Sequence, residues 1–314
     1  MSRFFRPGLL CLSLCVSQRG PAASLVERLG FQPTDKVLII NCDDLGMCHA
    51  ENGATFEALT QGVATSATVM MPCPWVPEVV AWKKQHPEAD LGVHLTLTAE
   101  WDRYRWGPLL GRELCPSLVD DQGYLPRDCG PLWARANADE AYRECKAQVE
   151  MAIRLGLDPT HLDNHMGSLQ THPELWKVYL RLGQEFSLPL RLASKALYAL
   201  LGQSAQRAQY EAAGVLGPDV LMYGPEIPAP EPKEPAGVPA YYEKILRSLK
   251  SGTVTELYLH CALDGPELQG ITGRHAFRQA DHDWLVAPET RKLINDLGIR
   301  LVGYQALREL QRKG

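Results

Sequence analysis

The sequence predicts an α/β fold in which about seven parallel strands and their crossover helices form a single-domain, closed or nearly closed TIM-like barrel. Three observations lead to this prediction. Short apolar runs alternate with amphipathic helical segments along most of the chain. Several of these runs end in Asp or His, as is typical where parallel strands present their carboxyl ends. With 314 residues, 45% of them hydrophobic, the chain can bury one large core.

The predicted elements follow one another in a regular order. Apolar and β-branched runs predict strands, and apolar residues at helical spacing, such as Phe56 and Leu59, predict helices. Strands are predicted at Val37–Asn41, Ser66–Met71, Leu91–Leu97, Thr160–Asp163, Leu188–Leu192, Val254–Cys261 and Ile299–Val302. Helices are predicted at Glu51–Gln61, Val76–Gln85, Asp139–Leu155, Glu174–Phe186, Tyr241–Leu249, Pro288–Leu297 and Gln305–Gln311. About seven such units favour a barrel over an open sheet.

Two long segments interrupt this order within the predicted domain, residues 24–314. The insertion at about residues 98–137 is rich in aromatic side chains, and the one at 223–239 is rich in proline. Loops of this length in a domain are usually functional lids or disordered. The aromatic residues of the first insertion can form a wall on which a sugar stacks; they include Trp101, Tyr104, Trp106 and Trp133.

The first 23 residues are set apart from the fold. A basic start, a short apolar run and a group of small residues have the outline of a secretory signal peptide. The protein is secreted if this segment is a signal peptide, and cytoplasmic otherwise. No apolar segment is long enough to span a membrane. A net charge of −5 and the lack of a long basic run argue against a nucleic-acid partner, and a homodimer remains open.

Asp43 and Asp44 at the end of the first apolar strand are the most informative feature. Carboxylates are rare at the end of a buried strand unless a partner compensates their charge. Side chains alternate along a strand, so both can reach one pocket only where the strand ends and the chain turns. A divalent cation is the simplest partner. The alternative is a capping pair, in which one Asp accepts hydrogen bonds from a helix N-terminus.

Histidines at other strand ends favour the cation. His94 lies within an apolar strand, His161 and His165 flank Asp163, and His260 ends another apolar run. Each of these histidines alone would more often be a satisfied core residue. In a parallel barrel, however, all strand ends meet on one face. One Asp and two His then form a set for Zn, Mg, Mn, Fe or Co that leaves positions open for water and substrate.

Four blocks in order resemble the YdjC-like carbohydrate deacetylases, which include chitooligosaccharide and hopanoid-associated members. The blocks are Asn41-Cys-Asp-Asp-Leu-Gly46, Thr65-Ser-Ala-Thr68, Gly92-Val-His-Leu-Thr-Leu97 and Pro159-Thr-His-Leu-Asp-Asn-His165. Further similarity reaches the C-terminus through Glu256-Leu-Tyr-Leu-His260 and Arg278-Gln-Ala-Asp281. The resemblance implies a distorted (β/α) barrel and metal-dependent hydrolysis of an N-acetyl group from an amino sugar or oligosaccharide.

The resemblance also implies a role for each matching residue. Asp44, His94 and His165 are expected to bind one divalent cation, Mg or Zn first and Mn, Fe or Co as alternatives. Asp43 matches the general base and His260 the general acid. His161 and Asp163 are expected to orient the ligand histidine. Residues expected to contact the sugar are Trp101, Tyr104, Trp106 and Arg278.

This chain also departs from the family pattern. Met166-Gly167 follows the ligand motif where many members have a further histidine, Cys261-Ala262 follows the acid where Pro-Gly is common, and Asn41-Cys42 opens the first block. These changes bear on the substrate more than on activity.

Two other functions remain open. A catalytically silent sugar-binding protein would need no acid and base. A metal-dependent phosphoesterase would need a basic group for phosphate, for which the candidates are Arg103, Arg105 and Arg278.

Overall fold

A computed structural model describes residues 23–313, so the predicted leader lies almost entirely outside the described residues. Seven strands in this part of the chain form one sheet. They are β1 (Lys36–Leu45), β2 (Ser66–Val69), β3 (Leu91–Leu95), β4 (Leu162–Asn164), β5 (Val220–Leu221), β6 (Thr253–Leu259) and β7 (Ile299–Leu301). Every pairing between these strands is parallel, which confirms the predicted α/β class.

The long central strand β1 organises the sheet, whose order is β4-β3-β2-β1-β6-β5. One edge of β1 pairs with β6 along most of its length. The other edge pairs with β7 in its first half and with β2 in its second half. Because all strands run the same way, the carboxyl ends of β1, β3, β4 and β6 lie at one end of the sheet. This is the distorted barrel arrangement that the sequence predicts.

Helices cover the outside of the sheet, and most lie within a few residues of their predicted bounds. Those not predicted include two that follow residue 194 and two that precede Pro288. The helices are α1 (Leu25–Arg28), α2 (His49–Thr60), α3 (Val76–Gln85), α4 (Cys129–Trp133), α5 (Ala138–Arg154), α6 (Leu175–Glu185), α7 (Lys195–Leu200), α8 (Ser204–Ala212), α9 (Val238–Ser248), α10 (Pro266–Ile271), α11 (His275–Val286), α12 (Pro288–Asp296) and α13 (Tyr304–Lys313). None of these helices has both the length and the apolar character needed to cross a membrane.

The predicted strand at Leu188–Leu192 is not a full strand. It makes one parallel bridge, between Leu162 and Leu190, and the sheet position beside β6 belongs instead to β5. Pro189 accounts for part of this difference, because proline has no N–H to donate to a strand ladder. The segment still lies along β4, since the Arg191 N–H donates to the carbonyl oxygen of Leu162 at 3.0 Å. The side chain of Arg191 is buried as a result of this placement.

The two insertions differ in how they meet the core. In the first, Trp106 is 4% exposed, packs in the main hydrophobic cluster and donates to the carbonyl oxygen of Thr98 at 3.0 Å. The second contains the 3₁₀ turns Gly224–Glu226 and Pro235–Gly237 and leads into α9. The first insertion is therefore part of the core and not only a loop over the surface.

Candidate active site

A β-bulge brings the two adjacent aspartates to one place. The register between β1 and β2 shifts between Cys42 and Leu45, so one extra residue is accommodated there. Asp44 adopts the left-handed backbone conformation, with φ of 64°. Asp tolerates this conformation better than most residues. The bulge interrupts the alternation of side chains, and both carboxylates face the carboxyl end of the sheet while still within the strand.

The carboxylate of Asp44 lies close to two histidine rings. Its Oδ1 is 3.5 Å from Nε2 of His94 and 3.4 Å from Nδ1 of His165. The two histidine nitrogens are themselves 3.3 Å apart. Arg278 donates to the other oxygen, Oδ2, at 2.8 Å and to Glu51 at 2.6 Å. Burial alone would raise the pKa of Asp44, but Arg278 and the histidines outweigh burial and lower it well below its usual range.

The donor set of Asp44, His94 and His165 fits a divalent cation. All three side chains are buried, and their ligand atoms lie within 4.8 Å of one another. Asp44 Oδ1 has no hydrogen-bond partner among the described residues, although it is buried. A buried, ionised oxygen without a partner is costly, and a metal ion is one of the few groups that can satisfy it. One carboxylate and two imidazoles are a common set for Zn and similar metals.

A second group, Asp43, His94 and Asp163, has similar spacing. Arg191 already neutralises it, because its guanidinium contacts Asp43 at 2.6 Å and Asp163 at 2.9 Å. Of these two groups, only the one around Asp44 has a carboxylate oxygen without a hydrogen-bond partner in the described part of the chain. We therefore regard that group as the candidate metal centre.

Carboxylates orient both histidines of the candidate centre. His94 and Asp163 are opposite each other on β3 and β4, and Nδ1 of His94 lies 2.6 Å from Asp163 Oδ1. This contact leaves Nε2 of His94 directed at Asp44. On His165 the roles are reversed, since Nε2 lies 2.9 Å from Glu100 and Nδ1 faces Asp44. A carboxylate behind each imidazole fixes which nitrogen is available to a metal.

Arg191 holds Asp43. Its two terminal nitrogens donate to the two oxygens of Asp43 at 2.7 and 2.6 Å, and Asn41 donates to Oδ1 at 2.8 Å. Burial alone would raise the pKa of Asp43, but Arg191 outweighs it and lowers the pKa to about 2. The third donor of Arg191 binds Glu256, which also accepts from Tyr304 at 2.5 Å. Asp43 is therefore ionised and fixed in orientation.

His260 follows β6 and lines the same cavity as the two aspartates. Burial lowers the pKa of His260, and the negative charge of Asp44 partly offsets this decrease.

The cavity has a volume of about 480 Å³. Its polar lining includes Asp43, Asp44, His94, His165, Arg191 and His260, and its apolar and aromatic lining includes Trp133, Met166, Leu197, Tyr198, Leu201, Tyr223 and Tyr258.

The structure separates His161 from the other predicted site residues. Its ring stacks on Tyr304 with the ring centres 3.7 Å apart, and Nδ1 lies 2.9 Å from the Thr160 hydroxyl. No hydrogen bond joins it to His94 or His165 within the described chain. Gly92 makes room for it, since a Cβ at that position would lie 2.6 Å from the His161 ring. Asp163, not His161, orients His94.

The predicted sugar-contacting residues are also placed differently. Trp106 is buried in the core, and Tyr104 donates its hydroxyl proton to the carbonyl oxygen of Met47. Neither of these residues nor Trp101 lines the cavity, whose aromatic wall comes from Trp133, Tyr198, Tyr223 and Tyr258. Arg278 does line the cavity, but its terminal nitrogens are engaged by Asp44 and Glu51. Apart from Trp133, the aromatic residues of the cavity therefore come from the segment between residues 198 and 258, and not from the first insertion as predicted.

Several charged residues of the site escaped sequence reasoning. The sequence did contain an indication that Arg191 belongs to the site, because a lone arginine in an apolar run needs buried partners. Glu256 had a similar signal within β6. Glu51 and Glu100 had none, because a glutamate in a helix or loop is usually solvated. Their place in the site depends on contacts with residues far away in sequence.

The fold and this site define a class of protein, an α/β barrel with a buried aspartate–histidine cluster at the carboxyl end of its sheet. Within that class the chain belongs to the YdjC-like family, because the family model described as YdjC-like protein matches residues 37–296.

Known proteins that resemble the chain agree with this assignment. A carbohydrate deacetylase of Thermus thermophilus is 36% identical over 280 residues, which cover 86% of this chain and 93% of the relative. A chitooligosaccharide deacetylase of Yersinia enterocolitica is 34% identical over 166 residues, which cover 50% of this chain and 60% of the relative. A solved structure from Enterococcus faecalis, described as a proposed cellobiose-phosphate cleavage protein, matches with a TM-score of 0.74 at 29% identity. That match covers 87% of this chain and 99% of the solved one.

Proposed function

We propose that the protein is a metal-dependent carbohydrate deacetylase that hydrolyses the N-acetyl group of an amino sugar or oligosaccharide. The names of its relatives support this reaction class. The observation that carries the proposal is the buried Asp44 Oδ1, which has no hydrogen-bond partner within residues 23–313 and lies within 3.5 Å of His94 and His165. We also propose that residues 24–314 form one domain, since a single sheet and its main hydrophobic cluster extend from Leu38 to Ile299.

Asp44, His94 and His165 would hold the cation, with Mg or Zn as the first candidates. Once bound, a divalent cation polarises an acyl carbonyl and lowers the pKa of water. Asp163 and Glu100 keep the two imidazoles in the tautomers that present a lone pair to the centre. Metal binding requires neutral imidazoles, so protons compete with the cation for this site.

Asp43 and His260 supply the proton transfers. Asp43 accepts a proton from the attacking water, and Arg191 and Asn41 hold its carboxylate in one orientation. The water oxygen forms a bond to the acetyl carbon, and the bond from that carbon to the sugar nitrogen breaks. His260 donates a proton to the departing nitrogen, so that an amine and acetate leave. Base and acid lie at the ends of the neighbouring strands β1 and β6.

A metal-dependent phosphoesterase remains the second candidate, but the arginines do not favour it. Arg278 is bound to Asp44 and Glu51, and Arg105 is paired with Asp120 at 2.8 Å. The third candidate, Arg103, is exposed on the first insertion. Within the described residues, no arginine of the cavity is free to bind a phosphate dianion in the way such enzymes require.

The test is acetate release from a panel of N-acetylated mono- and oligosaccharides. The wild type is assayed as purified, with chelator, and with each divalent metal restored, beside Asp44→Asn. Phosphate release from sugar phosphates is measured in parallel. Metal-dependent acetate release that is lost in the variant supports the proposal. Phosphate release without acetate release would replace it with the phosphoesterase, and turnover of neither substrate with metal tightly bound would indicate a silent binding protein.

A further inference from the structure

Asn164 is a buried amide with one half of its hydrogen-bonding capacity unused. It ends β4 between Asp163 and His165, and its side chain is part of the cavity lining. Its Oδ1 accepts a hydrogen bond from the Leu169 N–H at 3.0 Å. This contact fixes the amide, because the flipped orientation would set an N–H against an NH₂ group.

The other half of the amide, Nδ2, has no hydrogen-bond partner among the described residues, although Asn164 is only 3% exposed. Buried donors without partners are rare in native proteins, and each calls for an explanation such as a ligand. The Oε1 atom of Gln170 also has no hydrogen-bond partner in the described part of the chain, and Gln170 lines the same cavity. An unpaired donor and an unpaired acceptor on residues that line one cavity match a substrate that offers both, as acetamido and hydroxyl groups do.

We propose that Asn164 is a substrate-binding residue whose Nδ2 donates a hydrogen bond to an oxygen of the N-acetylated sugar. This inference rests on the proposed deacetylase function. The oxygen is either the acetyl carbonyl oxygen, which becomes negative during hydrolysis, or a sugar hydroxyl. Its position beside His165 makes Asn164 part of the surface that faces the reacting group.

Two variants separate this role from a purely structural one. Asn164→Asp keeps an oxygen for the Leu169 N–H but loses the donor, whereas Asn164→Ala loses both. The matched control is Gln206→Ala, since Gln206 is a buried amide that does not line the cavity and whose oxygen has no hydrogen-bond partner among the described residues. The measurements are kcat and KM for the best sugar of the panel, cation content and melting temperature.

Both Asn164 variants are expected to lower kcat/KM by about 10- to 1,000-fold, and Gln206→Ala to leave it unchanged. A fall in kcat assigns the bond to the carbonyl oxygen, and a rise in KM alone assigns it to a hydroxyl. The inference is overturned if Asn164→Asp keeps wild-type activity, or if both variants lose activity only because they lose the cation. A wild type that releases no acetate overturns the proposed function itself, which distinguishes the two failures.

Discussion

At the scale of single residues, the backbone of Asp44 explains why this position is difficult to replace. A φ of 64° is unfavourable for most residues, and Asp and Asn are among the few non-glycine residues that adopt it readily. An alanine at residue 44 would therefore combine two effects, loss of the carboxylate and backbone strain. Asparagine removes only the charge, so it is the better probe of the candidate metal centre.

We expect Asp44→Asn to lose the cation and remain folded, because the variant retains the backbone conformation but not the anionic oxygen. Cation content is measured by elemental analysis after gel filtration, with circular dichroism to monitor the fold. His161→Phe is the matched control, since it removes a buried histidine but keeps an aromatic ring to stack on Tyr304. Cation loss in His161→Phe, or full occupancy in Asp44→Asn, would contradict this assignment of ligands.

Asp43→Asn and His260→Gln are expected to retain the cation while kcat falls by about 10²- to 10⁴-fold, the usual range for loss of a general base or acid. Neither residue belongs to the group of Asp44, His94 and His165. Loss of cation from His260→Gln would make His260 a ligand and not an acid.

The pH dependence of kcat/KM, which reports the pKa values of the free enzyme, distinguishes the two roles. Asp43, with a pKa of about 2, stays ionised across the working range. His260 must carry a proton to act as the acid, so the rate should fall on the alkaline side as it deprotonates. Because burial lowers the pKa of His260, this fall should begin below the pH at which an exposed histidine titrates. The alkaline limb should be absent in His260→Gln, and a limb that persists unchanged would exclude His260 as its source.

At the scale of elements, the apolar runs in the sequence located most strands. They did not predict the features that depend on tertiary contacts. The strand β1 was predicted because Val37 to Asn41 is continuously apolar up to its last residue. The bulge that extends it to Leu45 could not be, since it arises from a register shift against β2. Helix α11 was missed for a related reason. It has many polar residues, and Arg278 on its buried side is stabilised by ion pairs with Asp44 and Glu51, which are far away in sequence.

The buried carboxyl group of Asp90, which contacts the start of α13, leads to a prediction about stability that does not involve the candidate metal centre. Asp90, just before β3, accepts a hydrogen bond from the Gln305 N–H at 2.6 Å and another from the Thr160 hydroxyl. Gly303 allows this approach, because a Cβ there would lie 2.3 Å from the Asp90 carboxylate. Burial raises the pKa of Asp90 to about 6, despite these hydrogen bonds.

The raised pKa has a defined effect on stability. Between about pH 4 and pH 6 the unfolded chain loses the Asp90 proton while the folded protein retains it, so the free energy of unfolding falls as pH rises. We expect Asp90→Asn to lack this contribution and to gain on the order of 2 kcal/mol relative to wild type between pH 4 and pH 7. Urea unfolding at both pH values measures the difference. A constant difference between the two proteins would show that Asp90 titrates normally.

At the scale of the whole molecule, the convergence of strand ends was predictable but the balance of charge was not. Parallel topology brings the strand ends that carry Asp43, Asp44, His94 and His165 to one end of the sheet, wherever they lie in sequence. The sequence did not show that two arginines would be buried with them. Five buried carboxyl groups meet two buried guanidinium groups in this region; they are Asp43, Asp44, Glu51, Asp163 and Glu256, with Arg191 and Arg278.

The buried Asp44 Oδ1, which has no hydrogen-bond partner among the described residues, predicts that a divalent cation stabilises the entire fold. A ligand that binds only the folded state adds about 2.7 kcal/mol at one hundred times its dissociation constant, which should raise the melting temperature by several degrees. We expect chelator to lower the melting temperature of the wild type and cation to restore it, whereas Asp44→Asn should respond to neither. With chelator present, Asp44→Asn should melt no higher than the wild type, because the substitution removes one partner of the buried Asp44–Arg278 ion pair. A wild-type melting temperature that is the same with chelator and with saturating cation would contradict cation binding by Asp44, His94 and His165.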